Sequence, residues 1–206
     1  MRIALIAPTH LPARRANTIQ VMKMAQAMTA LGHQTLVLSP GQARSPQGEE
    51  ISWDELARHY GLEHQFALEW LPTRPWLRRY DYGLIAVRRA RRWQADLIYT
   101  RLPQAAALAS MLGHKTIYEV HDLPQGRIGP MLFQLFLRGR GACRLVLITQ
   151  ALHEDLFPAA TSPVEVVIAP DGVDLARYRD LPGPLEARHR LLEHHPVPEE
   201  INNLSP

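Results

Sequence analysis

Short aliphatic runs alternate along this chain with segments of helix length, and that alternation restricts the fold more than any single residue does. Runs at 2–7, 34–38, 66–70, 96–100, 115–120, 144–148 and 164–168 read as strands. Between them lie amphipathic stretches predicted to be helical at 18–31, 52–60, 76–93, 104–112, 129–138 and 150–156. Strands separated by helix-length crossovers pair in parallel. Leu36-Val37-Leu38 and Leu145-Val146-Leu147-Ile148 are apolar on both alternating sets, as expected of strands covered on both faces. The expected fold class is α/β, a Rossmann-like doubly wound and mostly parallel sheet. An apolar content of 46% over 206 residues is enough for one full core.

Local signals support these boundaries. The first helix is predicted to be capped by Asn17 or Thr18 and stopped at Gly32, with Ile19, Met22, Ala25 and Met28 as a core-facing stripe. Ser52 and Glu55 stand at capping-box spacing. From Asp180 onward, Pro182, Pro184, Pro196, Pro198 and Pro206 interrupt a polar sequence. The expected division is therefore a domain over 1–179 and a tail over 180–206, disordered or partly helical around 185–194. The single cysteine, Cys143, cannot close an intrachain disulfide and is expected to be a buried, inert thiol in a reducing, cytoplasmic compartment. No apolar run approaches the roughly 20 residues that span a bilayer.

The net charge of +3 hides a local excess. Arginines 74, 78, 79, 88, 89, 91 and 92 face a single acid, Asp81, so this segment carries +6 and the remainder −3. The segment is read as an amphipathic helix with Leu77, Tyr80, Leu84 and Val87 inward, and Arg78, Arg79, Arg88, Arg89 and Arg92 outward or on the flanks. Such a face either solvates the helix or meets anionic lipid headgroups on the inner side of a membrane. Its aromatic residues lack the interleaving that stacks nucleic-acid bases, so no nucleic-acid partner is expected. His189, His194 and His195 do not share a helical face, and no metal site is expected.

A doubly wound sheet binds ligands beyond the carboxyl ends of its strands. The first such loop carries Arg14 and Arg15 ahead of a helix N-terminus, where unpaired N–H groups favour phosphate or carboxylate; the alternative is that the arginines only solvate the loop. Absence of G-x-G-x-x-G argues against a dinucleotide-dependent dehydrogenase and weakens the reading as a free-standing nucleotide-binding domain. The fifth strand delivers Tyr118-Glu119-Val120-His121-Asp122 to the same edge. A histidine there can hydrogen-bond sugar hydroxyls or stabilise a charged neighbour.

Five blocks in order then resemble the N-terminal domain of family 4 glycosyltransferases over about 1–179: residues 16–27 with Leu31-Gly32-His33; Ile98-Tyr99-Thr100-Arg101; residues 118–122; Leu147-Ile148-Thr149; and residues 168–174. The resemblance implies the acceptor-binding half of a GT-B fold. It places His121 near the transferred sugar, Ala16 and Asn17 near the donor phosphates, and Arg101 and Thr149 at the cleft; Asp122 is a substrate-binding candidate from the His-Asp pair at the strand end. Many family members have paired glycines where Ala16 and Asn17 stand here. The family generally retains anomeric configuration, uses a nucleotide-sugar donor as substrate and requires no metal. Ile168-Ala169-Pro170-Asp171-Gly172-Val173-Asp174 resembles the exit into a donor-binding half, yet only 32 residues follow Asp174. The expectation is a hexosyltransferase-type half-enzyme for cell-surface polysaccharide or glycolipid synthesis. It would take a glycan or lipid-linked acceptor and work with a separate donor-domain chain or a lost remainder. A non-catalytic module that binds such an acceptor, or a truncated remnant, is the alternative.

Overall fold

The computed structural model describes residues 1–42, 51–77, 80–158, 161–173 and 179–194. Seven strands form one parallel sheet: β1 (Arg2–Ile6), β2 (Gln34–Pro40), β3 (Ala67–Leu71), β4 (Leu97–Thr100), β5 (Thr116–Val120), β6 (Ala142–Leu147) and β7 (Glu165–Ile168). Their order is β3-β2-β1-β4-β5-β6-β7. The chain winds outward one way from β1 and, from β4, the other, so the topological switch point lies between these two strands. Helices α1 (Ala16–Ala30), α2 (Trp53–Tyr60), α3 (Tyr80–Arg92), α4 (Pro103–Met111), α5 (Gly129–Arg138) and α6 (Gln150–Leu156) connect them. The chain divides into two compact units, Met1–Asp171 and Gly172–Pro206. The second contains α7 (Pro184–His194), where Glu186 and Arg190 pair across one turn at 2.5 Å.

Alternation along β1 shows why the sheet is buried on both faces. Ile3, Leu5 and Ala7 join Val37 and Tyr99 under α1 and α2, whereas Ala4 and Ile6 join Leu36, Leu38 and Ile98 against α3 and α4. A third cluster sets Tyr118 and Val120 of β5 against Phe133 and Phe136 of α5. Gly141 is required by close approach: a Cβ there would stand 2.1 Å from the carbonyl oxygen of His114. Ser52 caps α2 as expected, its Oγ accepting from Glu55 N–H at 3.3 Å while its own N–H donates to the Glu55 carboxylate at 2.9 Å.

Four expectations need correction. The extended residue before α1 is Arg15, and Thr18 acts from the third helical position, accepting from Arg15 N–H and donating to Ala13 O. Ile19 is exposed, and the buried stripe is Thr18, Val21, Met22, Ala25 and Gln26. Cys143 is also exposed, because it is an inserted residue in the ladder. Thr116 pairs with Ala142 and Ile117 with Arg144, leaving Cys143 in a bulge. On α3 the buried face is Tyr82, Gly83, Ala86, Val87 and Ala90, so Tyr80 and Leu84 face outward. Tyr82 fills the interior, its hydroxyl donating to Ala7 O and Leu38 O, while Gly83 lies close against α4, where a Cβ would stand 3.1 Å from Cγ of Gln104.

Candidate active site

Four polar side chains share one face of two neighbouring strands near their carboxyl ends. Tyr99 on β4 and Arg101 just beyond it are two residues apart, as are Glu119 on β5 and His121 just beyond it. Strand periodicity places each pair on one face, and the register Tyr99↔Ile117 puts both pairs on the α1 side. Glu119 is the centre of the group. Its Oε2 accepts from the Tyr99 hydroxyl at 2.6 Å, and its Oε1 meets Nε2 of His121 and lies 3.7 Å from Nε of Arg101. The side chains of Glu119, Arg101 and His121 are 4%, 15% and 18% exposed.

Burial alone would raise the pKa of Glu119. Hydrogen bonds from His121 and Tyr99 and the charge of Arg101 outweigh it and hold the carboxyl below its ordinary value. The same burial, with the adjacent carboxylate, pushes the Tyr99 hydroxyl far above its ordinary range, so it remains a proton donor. Glu119 is thus an ionised acceptor bound by two donors and facing the Arg101 guanidinium, the arrangement that makes a buried carboxylate tolerable.

Arg101, Glu119 and His121 border a cleft of about 390 Å³, and Tyr99 lies behind them. Pro8 and Asn17 contribute from beyond β1 and the start of α1, Arg101 and Pro103 from beyond β4, and residues 118–125 from β5 and its loop. It lies at the carboxyl ends of the strands flanking the switch point, where open α/β sheets hold ligands. The loop from Pro8 to Arg15 is braced rather than loosely solvated. Ser39 Oγ receives Leu11 N–H at 3.2 Å, the Tyr60 hydroxyl receives Ala13 N–H at 2.8 Å, and Trp70 Nε1 donates to Leu11 O at 2.9 Å. Two cleft residues carry buried side-chain atoms without a hydrogen-bond partner among the described residues: Oδ1 of Asn17, an acceptor, and Nη1 of Arg101, a donor. Together they suit a ligand that both donates and accepts, as a sugar hydroxyl does.

The residues expected from sequence separate into two sets. Asn17, Arg101, His121 and Asp122 line the cleft. Ala16 is the exposed first residue of α1, and Arg14 and Arg15 are exposed on the braced loop; none of the three is among the lining residues. Thr149 is also outside the lining: its hydroxyl accepts from Leu152 N–H at 3.1 Å and caps α6. Sequence reasoning assigned no role to Glu119 or Tyr99, although an acid inside an apolar parallel strand, two positions before a histidine, was a readable signal. Ligand-capable atoms of Glu119, His121 and Asp171 lie within 4.8 Å of one another. Glu119 is already bound by His121 and Tyr99 and faces the Arg101 guanidinium, a donor set ill suited to a cation. His195 and the side chain of His194 lie outside the described residues.

Of the arginines expected on α3, Arg88 and Arg92 are exposed, as is Arg91. Arg89 instead pairs with the Glu69 carboxylate of β3 through both Nε and Nη2. Arg78 and Arg79 lie outside the described residues. No described helix is long and apolar enough to cross a membrane.

The model of glycosyltransferase family 4 matches residues 18–177. The chain belongs to glycosyltransferase family 4. No curated protein sequence matches it. Among solved structures, a glycosyltransferase from Rickettsia africae aligns with a TM-score of 0.60 at 12% identity, over 96% of this chain and 50% of its own. Anabaena HepE, solved with UDP and glucose, aligns at 0.62 and 16% identity over 95% and 50%. Sucrose-phosphate synthase from Thermosynechococcus elongatus aligns at 0.62 and 16% identity over 93% and 52%. At such identities the likeness establishes the fold, a GT-B half with a Rossmann-like sheet. The family 4 chain spans about half the length of each.

Proposed function

We propose that this chain is the acceptor-binding half of a glycosyltransferase that moves a hexosyl group from a nucleotide diphosphate sugar to a glycan or lipid-linked acceptor. The observation that carries the reading is His121, fixed on Glu119 beside a cleft at the switch point, in a family 4 chain. In this reading His121 hydrogen-bonds the transferred sugar, and Asn17 and Arg101 take a hydroxyl or the donor phosphate. Asp122 accepts from an acceptor hydroxyl. The Anabaena relative was solved with UDP and glucose, which makes a uridine diphosphate hexose the first donor to try. The donor-binding groups come from a second half, as a partner chain or as more of the same polypeptide. Charge on the departing diphosphate is met by basic side chains and helix N-termini without a metal, and the anomeric configuration is retained.

The setting we propose is cell-surface polysaccharide or glycolipid synthesis, in the cytoplasm at the inner membrane face. Trp76, Tyr80 and Leu84 are exposed at 72%, 41% and 38%, and along α3 Tyr80 and Leu84 continue into Arg88, Arg91 and Arg92 within about a third of the helix circumference. An aromatic end followed by cations suits an anionic headgroup layer, where each cation is worth about 1 kcal/mol. The deciding assay supplies the chain with a family 4 donor-binding half, nucleotide sugars and glycan or lipid-linked acceptors. Sugar incorporation that requires His121 is expected. Acceptor binding without incorporation from any donor overturns the transferase reading and leaves a non-catalytic glycan-binding module.

A further inference from the structure

We infer that Glu119 is a positioning residue that fixes the ring of His121 in one tautomer, so that Nδ1 is the atom offered to a sugar hydroxyl. This deepens the proposed transfer reaction and rests on it for the identity of the ligand. The geometric argument concerns this chain alone. Nε2 of His121 is bound to Oε1 of Glu119, and an ionised carboxylate only accepts, so Nε2 must carry a proton. In the neutral ring Nδ1 then has a lone pair and accepts from an O–H. A pyranose hydroxyl bound there is held as a donor, which sets the direction of its hydrogen bond and leaves its oxygen able to accept from another group.

Glu119 performs this task because it cannot easily turn away. Tyr99 holds Oε2 and Arg101 stands beside Oε1, so the carboxylate is braced from β4 while it braces a residue of β5. Tyr99 is itself buried and remains protonated, which prevents it from competing for the His121 proton. The buried carboxylate thereby transmits the rigidity of two adjacent strands to the first loop residue after β5. Rigid elements hold a reacting group to the tolerance that catalysis needs, and a misplacement of about 1 Å costs about 10²-fold in rate.

The test is a long-range ¹H–¹⁵N spectrum of the chain at neutral pH, with the His121 ring signals identified by their loss in His121→Gln. The wild-type ring is expected in the Nε2–H form, and Glu119→Gln is expected to shift it toward Nδ1–H. In transfer assays with the donor-binding half, Glu119→Gln should lower kcat about 10²-fold with KM little changed. Tyr99→Phe keeps the carboxylate and loosens its brace, so a smaller kcat loss is expected. A wild-type ring in the Nδ1–H form, or one that carries both protons, overturns the inference and needs no variant to fold. Glu119→Gln losing rate with the tautomer unchanged also overturns it, since the loss then has another route. Absence of transfer by the wild type strikes the functional reading, whereas the tautomer decides this inference by itself.

Discussion

Two charged groups of similar size stand on opposite terms with water in this molecule. The tetrad of Tyr99, Arg101, Glu119 and His121 is buried and cross-braced, with one carboxylate binding two donors and facing the Arg101 guanidinium. The stripe of Arg88, Arg91 and Arg92 on α3 is exposed. Arg89 stands between the two cases, half-buried and paired through two nitrogens with Glu69. The difference teaches that charge in the sequence does not by itself indicate a site. What distinguishes the tetrad is desolvation with pairing, which costs stability unless each group keeps its partner. An exposed arginine can be removed at little cost to the fold.

Substitutions can break this contrast in graded fashion. Glu119→Ala strands the Arg101 guanidinium in a buried place, and urea denaturation should show a loss of about 3–5 kcal/mol. Tyr99→Phe leaves one carboxylate oxygen without its donor and should cost about 2 kcal/mol in the same experiment. Acid provides a third handle. The native pKa of Glu119 lies below its ordinary 4.5, so the stability it contributes is present above that value and is lost as pH falls through the native one. Acid unfolding curves of wild type and Glu119→Gln should therefore converge at low pH, and a constant gap between them would contradict the pairing. Arg89→Ala should cost about 1 kcal/mol or less, because its partly exposed pair is screened by solvent. The triple variant Arg88→Ala, Arg91→Ala and Arg92→Ala should change stability by no more than about 0.5 kcal/mol per site. Its effect should appear instead in sedimentation with anionic vesicles, where wild type binds less as salt rises and the variant binds weakly throughout. Equal partitioning of the two would remove the membrane from the account.

Much of the fold was legible because burial on both faces writes itself into strands as continuous aliphatic runs. All seven strands and the helices between them fall within a few residues of their predicted places. The misjudgements have specific physical causes. On α3, wheel geometry located an apolar side through Tyr80 and Leu84, but the face that packs inward is Tyr82, Gly83, Ala86, Val87 and Ala90, with Gly83 close against α4. Cys143 looked like a strand residue and is one, yet a one-residue bulge turned it outward. Such a shift depends on the partner strand and is invisible in a single segment.

The site was half legible for a related reason. Arg101, His121 and Asp122 border the cleft, since strand-end position is readable from sequence, and Asn17 borders it from the start of α1, where the family resemblance had placed it. Thr149 shares that position but is occupied in capping α6, a competing local use of a hydroxyl that cap spacing before a helix could have signalled. Glu119 was passed over because it lay within a strand that otherwise read as core. Its role emerges only when β4 is placed beside β5 and Tyr99 and Arg101 meet it.

The central claim is that sugar transfer takes place at the cleft beyond β1, β4 and β5, with His121 touching the transferred group. Its most direct test is the transfer rate of wild type and His121→Ala, each supplied with the same donor-binding half and the same nucleotide sugar and acceptor. Removal of one group aimed at developing charge typically costs 10²–10³ in kcat, and a loss of about that size with unchanged thermal stability is predicted. An equal rate for the two proteins would contradict the account.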